Sequence, residues 1–276
     1  MFKKQHKYRK ALSAFFIFFI LTGSNAYGFS IPERLEYDLT LAGITIGSLT
    51  LEAQDKNQDI QFISRITSQK WLSLFYEVDD TASSFLRKGQ QKNIVKNFPF
   101  IPQKYHIQLH EGRNKIDKEY IFDQTKKNVF YIDHLDKNKT NYVIKDSTFD
   151  PLSSLYYLRR IPLQVGKSVS ITIFNNQLIY KVEVQVLRKE ALKTSLGTFN
   201  TLVIRTNMDS VGDGIFYLPG DIYIWLTDDE KKIPVLIEKR IKQLVEGKIS
   251  DYVKERIPDY FMKKLTEGSV KATLVK

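Results

Sequence analysis

Cysteine is absent from the 276-residue chain. That absence excludes disulfides, a lipid-modified N-terminal cysteine, cysteine-ligated metals and thiol nucleophiles together. Histidine is nearly as scarce: His6, His106, His110 and His134 are the whole set, so a catalytic triad has few ways to form. No Gly-x-Ser-x-Gly elbow or His-Glu-x-x-His pair occurs. Gly166-Lys167-Ser168 matches the end of a phosphate-binding loop, but Ile161 stands where the first glycine of that loop is required.

What is present begins with an address. Lys3, Lys4, Lys7, Arg9 and Lys10 precede the apolar run Ala11–Thr22 (ALSAFFIFFILT), and Gly23-Ser24-Asn25-Ala26 follows with small side chains. A basic start, a short apolar stretch and small residues form the layout of a secretory signal peptide, with cleavage expected between Ala26 and Tyr27. The apolar run falls short of the ~20 residues that span a bilayer, and no second run of that kind follows, so no stable membrane span is expected after cleavage. With no lipobox cysteine, the expected product is periplasmic and not a lipoprotein. The formal charge of +11 includes the five cations of this segment, leaving +6 dispersed among acids. Such a distribution describes a solvated surface, and nucleic acid is not an expected partner.

From Leu35 onward the dominant pattern has period two. Leu35, Tyr37, Leu39 and Leu41 alternate with Glu36, Asp38 and Thr40; Ala42-Gly43 breaks the run, and Ile44, Ile46, Leu49 and Leu51 resume it. Two alternating runs around a glycine-containing break predict a hairpin with one buried face. Short runs at Ile60–Ile66, Tyr105–Leu109, Tyr120–Phe122 and Val129–Ile132 continue the style, with a turn at Glu111-Gly112-Arg113-Asn114. A second block of strands is expected at Ser168–Phe174, Leu178–Val186, Phe199–Arg205, Ile215–Tyr217, Ile222–Leu226 and Ile233–Ile237, with turns at Asn175-Asn176 and around Gly247. Between the blocks, Asp150-Pro151-Leu152-Ser153-Ser154-Leu155-Tyr156-Tyr157-Leu158-Arg159-Arg160 places Asp at an N-cap and Pro at the first helical position before Pro162 stops it. A helix this short depends on the sheet for its stability. The expected fold class is mainly β: an antiparallel β-barrel or strongly curved sheet enclosing one short helix. One domain is expected over 27–257, followed by a loosely docked tail over 258–276.

Four segments together resemble a family of exported bacterial proteins known as domain of unknown function 3108. They are Tyr37–Gly47 (YDLTLAGITIG), Asp150–Arg159 (DPLSSLYYLR), Gly197–Thr201 (GTFNT) and Trp225–Val235 (WLTDDEKKIPV). The resemblance implies an exported, mostly antiparallel β protein and brings no catalytic residues. A looser architectural likeness is to envelope lipoprotein carriers and lipid-binding barrels, and fold alone does not confer function.

The chemistry-bearing residues favour binding over catalysis. On a strand His106 and His110 are separated by ~13 Å, too far to share a metal, and no metal or cofactor is expected. In a strand, neighbours such as Asp79 and Asp80 point to opposite faces. Asp228-Asp229 sits in a turn, where Asp side chains bond nearby backbone. Arg159 follows Tyr156-Tyr157 at the helix end, where a guanidinium and two phenols can grip a phosphate or carboxylate headgroup; equally it can support the last helical carbonyls and pair with a strand acid. The expectation is a carrier or sensor of an apolar or amphiphilic envelope molecule, with Trp71, Tyr156 and Tyr157 near the cavity and Arg159 at the headgroup. Its alternatives are a scaffold that binds an envelope protein in cell-envelope assembly and a hydrolase of envelope polymers using acids such as Asp79 or Asp228.

Overall fold

Period-two patterning becomes strand by strand the inner face of one sheet. In β1 (Glu33–Leu41) the buried residues are Leu35, Tyr37, Leu39 and Leu41. Ala42 and Gly43 both take positive φ (48° and 80°), the tight hairpin turn whose twist suits antiparallel strands, and β2 (Ile44–Lys56) returns alongside. Gly47 of β2 has no room for a side chain: a Cβ there would lie 2.4 Å from the Thr67 carbonyl oxygen. The computed structural model describes residues 29–57, 59–88, 98–145, 147–207, 220–241 and 269–276. The expected signal peptide 1–26, the strand at 215–217 and the turn around Gly247 lie outside them.

The meander continues through β3 (Asp59–Ser68), the single turn α1 (Lys70–Ser73), β4 (Asp79–Lys88), β5 (Phe100–Glu111), β6 (Asn114–Asp123), β7 (Asn128–Asp133) and β8 (Asn138–Val143), each strand antiparallel to the one before. The chain then forms β9 (Thr148–Phe149) and α2 (Pro151–Arg160). The second block is β10 (Ser168–Asn175), β11 (Leu178–Thr194), β12 (Gly197–Asn207), β13 (Gly220–Thr227) and β14 (Pro234–Ile241). The expected Asn175-Asn176 turn shifts by one residue: Asn175 completes β10, and Asn176 and Gln177 carry the positive φ values of 45° and 64°.

Of the expected tail, 258–268 lie outside the described residues, and the expectation of loose docking needs correction over 269–276. Ser269–Leu274 forms β15, which pairs antiparallel with β1 on one side and β14 on the other. Among the described residues it joins the two blocks into one fifteen-stranded sheet of order β8-β7-β6-β5-β4-β3-β2-β1-β15-β14-β13-β12-β11-β10-β9. The segment is short and has only Val270, Ala272 and Leu274 on its inner face, so its alternation is weak in sequence. Position between two partners, rather than hydrophobicity, makes it central.

The outer strands β8 and β9 are consecutive in the chain, with only residues 144–147 between them. Fourteen inter-strand steps of ~4.8 Å would hold them ~67 Å apart in a flat sheet, whereas a link that short reaches at most ~18 Å. The sheet must therefore curl until its edges meet. Among the described residues no ladder joins the two edges, and side chains bridge the seam instead. The Tyr142 hydroxyl donates to the Gln177 amide oxygen, the Tyr142 and Phe174 rings lie 5.5 Å apart, and Gln124 Nε2 donates to the Thr148 carbonyl at 2.7 Å. The result is a strongly curved, unclosed sheet around one core, with α2 inside it.

Candidate functional site

Helix α2 begins as its sequence requires. Asp150 caps it through Ser153 N at 2.8 Å, and Ser153 Oγ answers the Asp150 backbone N–H, a reciprocal capping box with Pro151 as the first helical residue. Asp150 is fully buried, and Ser84 of β4 donates to its Oδ2 at 2.7 Å. Burial pushes the Asp150 carboxyl up, against the pull of the Ser153 and Ser84 donors. One side chain therefore both starts the helix and fastens it to the sheet.

The helix buries nearly every side. Tyr156 stacks on Phe62 of β3 with ring centroids 3.7 Å apart and 3° between planes, and Phe29 meets both rings edge-on. Tyr157 stacks on Phe149 at 4.7 Å and meets Phe98 edge-on. Beyond the helix, the rings of Tyr105, Tyr120, Tyr131, Tyr142 and Phe174 form a chain across the interior to the seam. Stacked and edge-to-face pairs of this kind add ~0.5–1.5 kcal/mol each beyond their buried area.

Among the described residues, several buried side-chain polar atoms have no hydrogen-bond partner, and two of the residues that carry them bear on the interior. The Tyr156 hydroxyl is one, and burial raises its pKa, so it is a neutral phenol. Both side-chain atoms of Asn175, at the seam end of β10, are the other, although that residue is only 1% exposed. Buried polar atoms without partners are uncommon and costly, at ~1–3 kcal/mol each.

The expected site residues fall in different surroundings. Tyr156 and Tyr157 line the aromatic interior. Trp71 is on α1, 43% exposed, with its Nε1 donating to the Thr45 carbonyl at 3.3 Å, so it lies apart from them on the outer surface. Arg159 is 1% exposed, and its guanidinium donates to both Glu33 oxygens at 2.6 and 2.8 Å and twice to the Lys231 carbonyl at 3.2 Å. It also lies over the rings of Phe29 and Tyr156. Burial opposes its charge, but the Glu33 bond and charge outweigh that and raise its pKa. The headgroup role expected of Arg159 is thereby corrected: four of its five N–H donors are already engaged, and a ligand taking a bidentate grip would have to displace Glu33.

The acids also sort by face. Asp79 is exposed and paired with Arg65. Asp228 pairs with Lys189, and Asp229 accepts from Thr227 Oγ1 and the backbone N–H groups of Lys231 and Lys232, stabilising the β13–β14 turn. Two further buried acids, Asp80 of β4 and Glu111 of β5, lie on a diagonal of the inner face, Glu111 standing opposite Val78. Burial, and then the Glu111 charge, push the Asp80 carboxyl up to about 8. Parity could have revealed the pair: Asp80 shares a face with Ser84 and Leu86, and Glu111 with Tyr105 and Ile107. Phe29 and Phe62 had no such signal as partners of Tyr156.

Residues 36–243 match the family model described as "Protein of unknown function (DUF3108)". The chain belongs to the DUF3108 family. The resemblance carried by the YDLTLAGITIG and DPLSSLYYLR segments is thus shown, and these segments form the β1–β2 hairpin and α2 of the DUF3108 fold. A solved structure similar to this DUF3108 chain is a β-barrel-like protein of domain of unknown function DUF1849 from Brucella abortus. It is 12% identical with a TM-score of 0.50, over 90% of this chain and 97% of that one. At that identity the likeness concerns fold, and it agrees with a curled, barrel-like sheet. No curated protein matches the chain.

Proposed function

We propose that this DUF3108 protein is an exported, periplasmic carrier or sensor that takes one apolar or amphiphilic envelope molecule into its aromatic interior and acts without catalysis. The observation that carries the reading is the seam. A closed barrel would have to break backbone hydrogen bonds to admit a ligand from the side; here the β8 edge meets the opposite edge through side chains such as Tyr142, Phe174 and Gln177, which part by rotation. The partnerless Tyr156 hydroxyl and Asn175 amide give an amphiphile's polar group a place to bond. Arg159 acts through the helix, holding α2 to β1 and the β13–β14 turn, and is a positioning residue.

The absence of native cysteine makes a direct test clean. In a Tyr142→Cys/Gln177→Cys variant, a short bis-maleimide ties the two edges together. Uptake of a dansylated fatty acid, read by fluorescence, is expected to slow at least tenfold in the tied protein and to be normal before tying. Uptake unaffected by the tie would remove the seam as the entrance, and no uptake by the untied protein would remove the carrier reading for such ligands.

One observation favours the scaffold alternative. Leu74 and Phe75, just after α1, are 81% and 80% exposed, and Trp71 and Ile44 are half exposed nearby, a grouping suited to an envelope-protein partner. Under that reading Leu74→Glu/Phe75→Glu lowers recovery of the partner from envelope extract and leaves dansyl-ligand uptake intact.

A further inference from the structure

The outer face of the β5–β6–β7 ribbon gathers the histidines that sequence spacing leaves apart. His106 of β5 stands opposite Glu119 of β6. The residue after β7, His134, donates its backbone N–H to the Asp117 carbonyl, which extends the ladder and sets His134 opposite Asp117. Cross-strand neighbours on one face have Cβ atoms ~4.5–5.5 Å apart, so the two imidazoles flank two carboxylates of the central strand. The contacts follow the diagonals: His106 Nε2 lies 2.7 Å from Asp117 Oδ1, and His134 Nε2 lies 3.7 Å from Glu119 Oε2. The two rings are 5.9 Å apart. One ligand atom each from His106, Glu119 and His134 fall within 4.8 Å of one another.

We propose that His106, Glu119 and His134 form a surface site for a divalent first-row transition metal of the zinc class. Two imidazoles and one carboxylate suit zinc, cobalt, nickel or copper, whereas magnesium and calcium prefer all-oxygen sets. Zinc bonds of ~2.0–2.1 Å in a tetrahedron put ligand atoms ~3.4 Å apart, so binding draws the three donors inward by up to about 1.4 Å. The side chains are half-buried or exposed and turn that far without moving the strands. Asp117 holds the His106 ring and adds negative charge beside the ion. Three protein donors leave a fourth position for water or for a donor from another molecule. The site lies on the opposite face of the sheet from the aromatic interior and is independent of the carrier reading. His110, four residues along the same strand and ~13 Å away, takes no part.

The test is titration of Zn²⁺ and Co²⁺ into the untagged protein, followed by calorimetry for zinc and by visible absorption for cobalt. The expected result is one ion per chain, with cobalt bands of a four- or five-coordinate nitrogen and oxygen site. His106→Ala, Glu119→Gln and His134→Ala each weaken binding at least tenfold, His110→Ala changes nothing, and circular dichroism shows all four variants folded. Where His106→Ala perturbs the fold, His134→Gln carries the same test from a residue at the strand end. No stoichiometric binding by the wild-type protein, or binding that survives His106→Ala/His134→Ala, would overturn the assignment.

Discussion

Replacing Arg159 by Met keeps much of its volume and deletes its charge, leaving Glu33 in place with a side chain only 9% exposed. Four hydrogen bonds from the guanidinium are lost, and the remaining carboxylate is left without its cation. Breaking a buried pair from one side typically costs ~3–5 kcal/mol, because the surviving charge is uncompensated. For a domain of this size each kcal/mol moves the melting temperature by ~2–4 °C, so a drop of roughly 6–20 °C is expected. Arg159→Met/Glu33→Gln removes both charges and should recover at least half of that loss. Thermal and urea unfolding followed by circular dichroism read both variants. A headgroup role would weaken ligand binding and leave the melting temperature almost unchanged. A single variant within ~1 kcal/mol of wild type, or a double variant as unstable as the single, would refute the buried-pair reasoning.

Other outcomes follow from the same core. Asp80 is protonated in the fold up to about pH 8 but ionised in the unfolded chain above ~3.9. Its contribution is thus full below about pH 4 and is lost as the pH rises to about 8, at up to ~1.4 kcal/mol per unit. Asp80→Asn keeps an oxygen for the His110 N–H and should flatten the pH dependence and raise the melting temperature at pH 8; parallel stability profiles would contradict this. Deleting 269–276 removes a strand paired on both sides and should abolish soluble, folded protein, whereas a dispensable tail would leave circular dichroism unchanged. Tyr156→Phe removes a partnerless buried hydroxyl and should leave the empty protein as stable or up to ~1 kcal/mol more so, while weakening amphiphile binding about fivefold to tenfold; unchanged binding would take Tyr156 out of the ligand site.

Local rules made much of the fold legible. Alternation from Leu35 to Leu51 gave the first hairpin, and Asp150-Pro151 gave the start of α2, because both depend on neighbours within a few residues. The pairings that organise the interior were hidden by distance: Glu33 and Arg159 are 126 positions apart, and Ser84 meets Asp150 across 66. Arg159 could be read as either a ligand contact or a structural cation until its partner was located. β15 was missed because Ser-Val-Lys-Ala-Thr-Leu is weakly apolar, and its role comes from the two strands it joins. β11 runs well past the expected Val186 to Thr194, where polar residues pair with β12; a pattern that depends on a buried face cannot mark where such an extension ends. The joint placement of His106, Glu119 and His134 needed the register of three strands, which spacing along the chain does not contain.

Native mass spectrometry of the protein isolated from the cells that make it, followed by denaturation and lipid analysis, bears most directly on the carrier proposal. A stoichiometric apolar or amphiphilic molecule released on unfolding is the expected result, and it would name the ligand class. A folded protein that emerges empty and takes up no envelope lipid when challenged would contradict it.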